Sequence, residues 1–159
     1  MTQDARFEDG TEKPLRLRAI EIEDLPVIAA LSQDAIFLAS EMQWQKSKHR
    51  FAILLNRFRW EDVEAAKAQQ RDVERVQSVL AIDDVISVAS QGVPRGDNDT
   101  VLSLLGIRFE PQDGGGGSIL LTFAGDGALR FKVEALELSL TDVTKPYAAL
   151  SRMTPKHED

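Results

Sequence analysis

The feature that most constrains the fold of this chain is a series of short segments in which apolar and polar residues alternate. Residues 128–134 show it most clearly, because Leu129, Phe131 and Val133 alternate with charged residues. A period of two places such side chains on one face of a β-strand. With β-branched content and turn residues between the runs, this pattern predicts about eight strands. They cover residues 15–21, 35–42, 50–60, 76–82, 85–92, 100–110, 118–124 and 128–134.

Turn residues between these runs predict antiparallel neighbours. Asp126-Gly127 adopts positive φ angles easily and predicts a tight hairpin between the last two runs. Asp83-Asp84 predicts a second tight turn, and the polar residues 43–49 suit a hairpin loop. Within residues 100–110, alternation assigns one face to Val101, Leu105, Ile107 and Phe109.

Helices are predicted at three places. Asp24 is a suitable N-cap for a short helix through Leu31, with Pro26 in its first turn. Residues 61–72 have good helix propensity but a thin apolar stripe, so they fit either a surface helix or a connection. Residues 135–143 fit a C-terminal helix or a continued strand. We expect the helix, because these residues recur at helical spacing: Leu136, Leu140, Val143 and Tyr147.

These elements predict an α+β fold in which a mostly antiparallel sheet curls into a sandwich or partly open barrel. Residues 15–147 form the expected single domain, between a flexible arm at 1–14 and a tail at 148–159. Seven strands with a C-terminal helix would be similar in layout to pleckstrin-homology-like barrels. Such barrels serve mainly as binding scaffolds, but fold alone does not fix function.

Charge and composition exclude several classes of function. The net charge of -7 opposes general binding to nucleic acid or anionic membranes. The chain has no cysteine, which excludes disulfides and thiol chemistry and fits a cytoplasmic setting. We expect no membrane span, because no apolar run approaches the roughly 20 residues that a helix needs to cross a bilayer.

No motif predicts a metal or a cofactor. The glycines at 114–117 lead into a strand rather than a helix, so they predict a loop and not a phosphate site. The polar residues 97–99 lack the spacing of a calcium loop. His49 and His157 have no partners at metal-ligand spacing.

Residues 51–62, FAILLNRFRWED, contain the candidate ligand-binding site. In a strand, Arg57 and Arg59 follow the apolar face at its end, about 7 Å apart. Two guanidinium groups can hold a carboxylate or phosphate, and Trp60 can stack on a planar group. The alternative is that Glu61, Asp62 or other acids pair with the arginines and that Trp60 packs in the core.

Several long strings in the chain resemble an uncharacterised family of small bacterial proteins. The strings are LRLRAIEIEDL, LLNRFRWED, LSLLGIRFEP and LTFAGDGALRFKVEALELSLTDV. The resemblance covers most of the chain. It implies no catalytic residue, because the family is known only as a domain of unknown function.

The sequence favours a non-catalytic binding domain for a protein partner or a small anionic ligand. The residues that we expect to carry it are Arg57, Arg59 and Trp60. The alternative is a small hydrolase or isomerase that uses carboxylates and His49 in a barrel mouth. A homodimer through an exposed strand edge is a further expectation.

Overall fold

The computed structural model describes residues 14–93 and 99–145 and the backbone of 147–148. Within them the chain forms eleven strands and two α-helices. The strands are β1 (Arg16–Ala19), β2 (Ile36–Leu38), β3 (Met42–Gln45), β4 (Arg50–Phe58), β5 (Glu74–Ile82), β6 (Val85–Gln91), β7 (Val101–Pro111), β8 (Gly117–Phe123), β9 (Ala128–Val133), β10 (Leu138–Asp142) and β11 (Tyr147–Ala148). The helices are α1 (Leu25–Ser32) and α2 (Val63–Ala68). The prediction of a sheet-rich α+β fold is therefore confirmed.

All the strand pairs are antiparallel, and the strand order is β1-β10-β5-β4-β2-β7-β8-β9-β6. The first sheet contains β1, β10, β5 and β4, with β3 paired to β4 and β11 to β5; the second contains β6 to β9. The short β2 pairs with β4 at one position and with β7 at three, so it joins the two sheets. Among the described residues no pairing joins β1 to β6, so the sheet does not close into a barrel.

The core lies between the two sheets. Phe51 on β4 packs against Phe131 on β9, with ring centroids 4.8 Å apart. Phe37 on β2 packs edge-on against Phe123 on β8 at 5.7 Å. Aromatic pairs in these geometries add stabilisation beyond the area they bury. The two sheets are thus held together by contacts between residues distant in sequence.

Helix α1 covers one end of this core and begins and ends close to its predicted limits. Leu25, Ile28 and Ser32 are its buried residues, and Pro26 lies in the first turn, where its missing N–H costs nothing. Asp24 precedes the helix without capping it through its side chain. Its carboxylate accepts from the Glu21 amide at 3.3 Å instead.

The predicted hairpins agree with the structure in part. The hairpin at Asp126-Gly127 is confirmed by the pairing of β8 with β9 and by the positive φ of Asp126, 71°. The predicted loop at 43–49 is shorter, because 43–45 belong to β3 and pair with β4. Asp83-Asp84 does not close a hairpin: β5 pairs with β4 and β10, whereas β6 pairs with β9. The chain bends there from one sheet into the other.

The face assignment within β7 is wrong at its start. Val101 and Leu105 are exposed, while Leu102 and Leu104 are buried. A register shift between Leu104 and Gly106 inserts an extra residue opposite β8. Such a bulge reverses which side chains face inward, and Ile107 and Phe109 then pack against the core as expected.

The expected C-terminal helix is wrong within the described residues. Leu138–Asp142 form β10, which pairs with β1 on one side and with β5 on the other. Leu138 and Leu140 are completely buried, so period two is the correct interpretation of this segment. The pleckstrin-homology-like layout, which depended on a helix at 135–143, stays a prediction. Residues 1–13 of the expected arm at 1–14, the polar residues 97 and 98, and residues 149–159 of the expected tail at 148–159 lie outside the described residues.

Candidate functional site

Arg57 lies near the end of β4, on the face that carries Phe51, Ile53 and Leu55, and its side chain is completely buried. Alternation dictates this placement, since residues two apart share a face of a strand. The charged group therefore closes the end of the apolar core.

All three guanidinium nitrogens of Arg57 donate hydrogen bonds within the fold. Nη1 and Nη2 donate to the two carboxylate oxygens of Glu61, each at 2.9 Å. Nη2 also donates to Asp142, and Nε donates to Ser78 and Asp142. Nη1 further donates to the Phe58 carbonyl oxygen at 3.1 Å. These hydrogen bonds offset the free-energy cost of burying a charged group in a medium of low dielectric.

The acids around Arg57 join four segments of the chain. Asp142 on β10 accepts from the Ser78 hydroxyl on β5 at 2.6 Å and from the Leu15 amide before β1 at 2.9 Å. Burial alone would raise the pKa of Glu61, but the hydrogen bonds and charge of Arg57 outweigh it, and the pKa lies below its usual range. We name this set the Arg57 network: Leu15, Arg57, Glu61, Ser78 and Asp142.

Arg59 belongs to a second network, two residues along the chain. Its Nη1 donates to Glu74 at 2.7 Å and to Asp62 at 3.3 Å. Asp62 is buried and also accepts two hydrogen bonds from Arg71, at 2.7 and 3.0 Å. This network holds the turn after β4 and the segment after α2 against the start of β5.

Trp60 is half-buried beside these networks. Its Nε1 donates to the Gln33 carbonyl oxygen after α1 at 2.9 Å. The centroids of the Trp60 and Phe58 rings lie 5.7 Å apart. The guanidinium of Arg75 lies over the Phe58 ring, 3.8 Å from its centroid. Trp60 thus links the end of α1 to the end of β4, while part of its ring stays accessible to solvent.

The structure brings the three predicted site residues together, but with partners from the chain itself. Glu61 and Asp62, the acids that the ion-pair alternative named, pair with Arg57 and Arg59 respectively. The carboxylates that these arginines hold are therefore internal. This geometry favours a structural role for both arginines.

Sequence reasoning missed a groove on the outer face of the first sheet, where β2 separates from β4. Its cavity of about 210 Å³ is lined by Ile36, Leu38, Leu54 and Val101, with Asn56, Gln77 and Glu41 at its polar parts. Ile36, Leu38 and Val101 are exposed by 36%, 38% and 62%. Alternation placed Val101 on the same face as Ile107 and Phe109, which pack against the core. The bulge in β7, which the sequence does not signal, turns Val101 outward.

The groove adjoins the Trp60 region. Asn56 accepts from Arg75 at 3.1 Å, and Arg75 covers the Phe58 ring that Trp60 also contacts. One surface therefore runs from the exposed part of Trp60 to the apolar groove. We name it the outer groove surface: Ile36, Leu38, Leu54, Asn56, Trp60, Arg75 and Val101.

His49 lies at a different corner, in the turn between β3 and β4, and is exposed. Its Nδ1 lies 3.2 Å from the Val85 carbonyl oxygen. Burial, with the charges of Glu137, Asp83 and Glu134, raises the pKa of nearby Asp84, and His49 partly offsets this. Among the described residues, no three histidines and acids are grouped to hold a metal ion.

Gly114, Gly115 and Gly116 lie in the loop between β7 and β8, as expected, and Gly117 begins β8. The Gln112 amide donates to the Gly116 carbonyl oxygen at 3.1 Å, closing the hairpin. Gly114, Gly115 and Gly116 have φ angles of 75° to 95°, a conformation that glycine adopts without strain.

Comparison with known families assigns the chain. A family model described as "Protein of unknown function (DUF2948)" matches residues 15–157. The chain belongs to this family. The resemblance to an uncharacterised family is thereby confirmed, and the DUF2948 domain includes both arginine networks and the outer groove surface. No curated protein and no solved structure matches the chain. None of the helices in the described part of the chain is long and apolar enough to cross a membrane.

Proposed function

We propose that this DUF2948 protein is a non-catalytic binding domain that receives an apolar segment of a protein partner on the outer groove surface. The observation that carries the proposal is the exposure of Ile36, Leu38 and Val101 around one cavity. Single exposed apolar residues are ordinary, but grouped ones beside a concave site are typical of interaction surfaces. The polar residues at the cavity, Asn56 and Gln77, supply orientation for the partner backbone.

The hypothesis that a small anionic ligand binds to Arg57 and Arg59 has less support. A ligand would have to displace Glu61 and Asp142 from a completely buried guanidinium. Breaking such a pair costs several kcal/mol, on the order of 3–5. Trp60 is the member of the expected site that remains in the proposal, because part of its ring is accessible beside the groove.

The hydrolase or isomerase alternative is not favoured by a particular observation. General acid–base catalysis needs a titrating group sheltered from water and within reach of a substrate. His49 is exposed in a hairpin turn. A cytoplasmic setting stays a prediction. A homodimer also stays a prediction, and sedimentation measures the oligomeric state.

The experiment compares two valine substitutions in the full chain. Val101→Glu places a charge in the groove, whereas Val27→Glu places one on the exposed side of α1, where the valine is 52% exposed. We expect affinity capture from native cell extract to lose its partner protein with Val101→Glu and to retain it with Val27→Glu. Both variants should unfold cooperatively at similar temperatures. Equal capture by both folded variants would refute the groove as the docking site.

A further inference from the structure

One edge of strand β6 pairs with no other strand of the residues that the structure describes. β6 ends the strand order, and β9 is its one partner strand among the described residues. Beyond that pairing, the Val85 amide donates to the His49 carbonyl oxygen at 2.9 Å. The outer N–H and C=O groups of an edge strand are a ready template for another extended chain.

The sequence of β6 does not protect this edge. VISVASQ contains no charged residue and no proline, in a chain of which 28% is charged. Proteins usually guard exposed edges with such residues. The strand at the other end of the order, β1, carries Arg16 and Arg18 and is guarded in this way. β6 is thus suited to pairing with another strand.

The exposed face beside β6 is cationic. Ser87 and Ala89 on β6 lie opposite Lys132 and Arg130 on β9. Arg130 pairs with Glu110 at 2.9 Å, whereas Lys132 makes no ion pair with a residue that the structure describes. A strand added to β6 would lie about 10 Å from β9, two strand spacings away. Since Ser87 and Ala89 are small, the Lys132 ammonium and an incoming carboxylate can meet above them.

The opposite face of β6 carries Val88 and Ser90 and lies toward the core. Val88 is half-buried, lies opposite Phe131 and packs against the core. Alternate residues of an added strand would fall on this side. Apolar residues there would extend the core and lose contact with water.

We propose that β6 is a docking edge for an extended segment of a partner protein in which apolar residues alternate with aspartate or glutamate. Backbone hydrogen bonds between the two strands supply affinity. Contacts of alternate side chains with Lys132 on one face and Val88 on the other supply selectivity, as in β-augmentation. A second copy of this chain fits less well. It would bring its own Lys132 and Arg130 to the same face, where like charges repel each other.

The test uses the full chain and a fluorescent peptide in which glutamate and valine alternate over nine residues. We expect saturable binding by anisotropy, with hydrogen-exchange protection centred on 85–91. Lys132→Glu should weaken binding about threefold to tenfold and strengthen binding of a lysine–valine peptide. Lys67→Glu, on α2, makes the same change of net charge elsewhere and should alter neither affinity.

Four results would overturn the proposal. The first is equal binding of a peptide with the same residues in blocks, which cannot present two faces. The second is hydrogen-exchange protection centred on residues other than 85–91, and the third is an affinity unchanged by Lys132→Glu. The fourth is self-association through 85–91 in sedimentation, which would assign the edge to a second copy. Val101→Glu should leave peptide binding intact, so a failure here is separate from a failure of the groove.

Discussion

The guanidinium of Arg57 donates to both carboxylate oxygens of Asp142, at 3.0 and 3.1 Å, and so joins strands whose residues are 85 positions apart. Asp142 in turn accepts from Ser78, on the strand between them. This polar contact ties β4 to β10 across β5, which lies between them in the sheet. It also explains why a fully charged side chain is tolerated at the end of the core, since every partner is charged or polar.

The first prediction concerns the cost of removing this cation. Arg57→Ala leaves Glu61 and Asp142 without their partner, and we expect a loss of about 3–5 kcal/mol in the free energy of unfolding. Urea denaturation measures the loss. Arg18→Ala is the control, because Arg18 pairs with Glu137 while its own side chain stays 66% exposed. That variant should lose no more than about 1 kcal/mol.

The same reasoning extends to the double variant with Arg57 and Arg59 replaced by alanine. It should be largely unfolded, because both networks are lost. A double variant that folds normally and has lost the capture of an anionic ligand would instead support the ligand-binding interpretation of these arginines.

The second prediction is a pH dependence carried by Glu61. Its pKa is lower in the folded chain than in the unfolded chain, because the hydrogen bonds and charge of Arg57 outweigh burial. Its contribution is therefore present above the unfolded value, about 4.3, and is lost as pH falls through the folded value. Glu61→Gln should flatten the fall in stability between about pH 5 and 3. Glu64→Gln, on the exposed side of α2, is the control. Identical profiles for the two variants would contradict the prediction.

Much of the sheet follows from the sequence because the physical signal is local. Alternation fixes which face of β4 is buried, and it correctly places Arg57 beside Phe51 and Leu55. The turn between β8 and β9 is specified for an equally local reason, because Asp126 and its neighbour Gly125 adopt the positive φ that the turn needs. Such features require no knowledge of the rest of the chain.

The remaining features depend on contacts between distant residues. Leu136, Leu138 and Leu140 fit period two and period 3.6 almost equally, and only pairing with β1 and β5 decides for a strand. For the same reason, the sequence does not show that Asp142 on β10 is a partner of Arg57. Glu61 could be named because it lies only four residues after Arg57. The groove was missed because a bulge turns Val101 outward.

The third prediction is that Asp84→Asn stabilises the protein. Burial and the charges of Glu137, Asp83 and Glu134 raise the pKa of Asp84. The folded chain therefore holds this proton more tightly than the unfolded chain, and stability declines as pH rises through the folded pKa. Asparagine removes that cost because its side chain carries no charge. It also adopts a positive φ, such as the 59° of this position, more readily than most residues.

We expect an increase on the order of 0.5 kcal/mol at pH 7, shrinking toward pH 3, by urea denaturation at both values. Asp126→Asn is the matched control, because Asp126 also has a positive φ, 71°, in an exposed turn. A gain for Asp84→Asn that is no larger than that of the control would show that burial and the neighbouring charges cost the Asp84 carboxylate nothing measurable.

The fourth prediction separates backbone strain from steric overlap in the loop between β7 and β8. Gly115 and Gly116 both have positive φ, 95° and 75°. A Cβ at Gly115 would meet no atom within 4 Å, whereas one at Gly116 would lie 2.5 Å from the Val133 carbonyl oxygen. Gly115→Ala should therefore cost only the left-handed backbone strain, about 1–2 kcal/mol. Gly116→Ala should cost more, because the backbone of β9 must move. Equal melting temperatures for the two variants would show that this loop does not hold the β9 end in place.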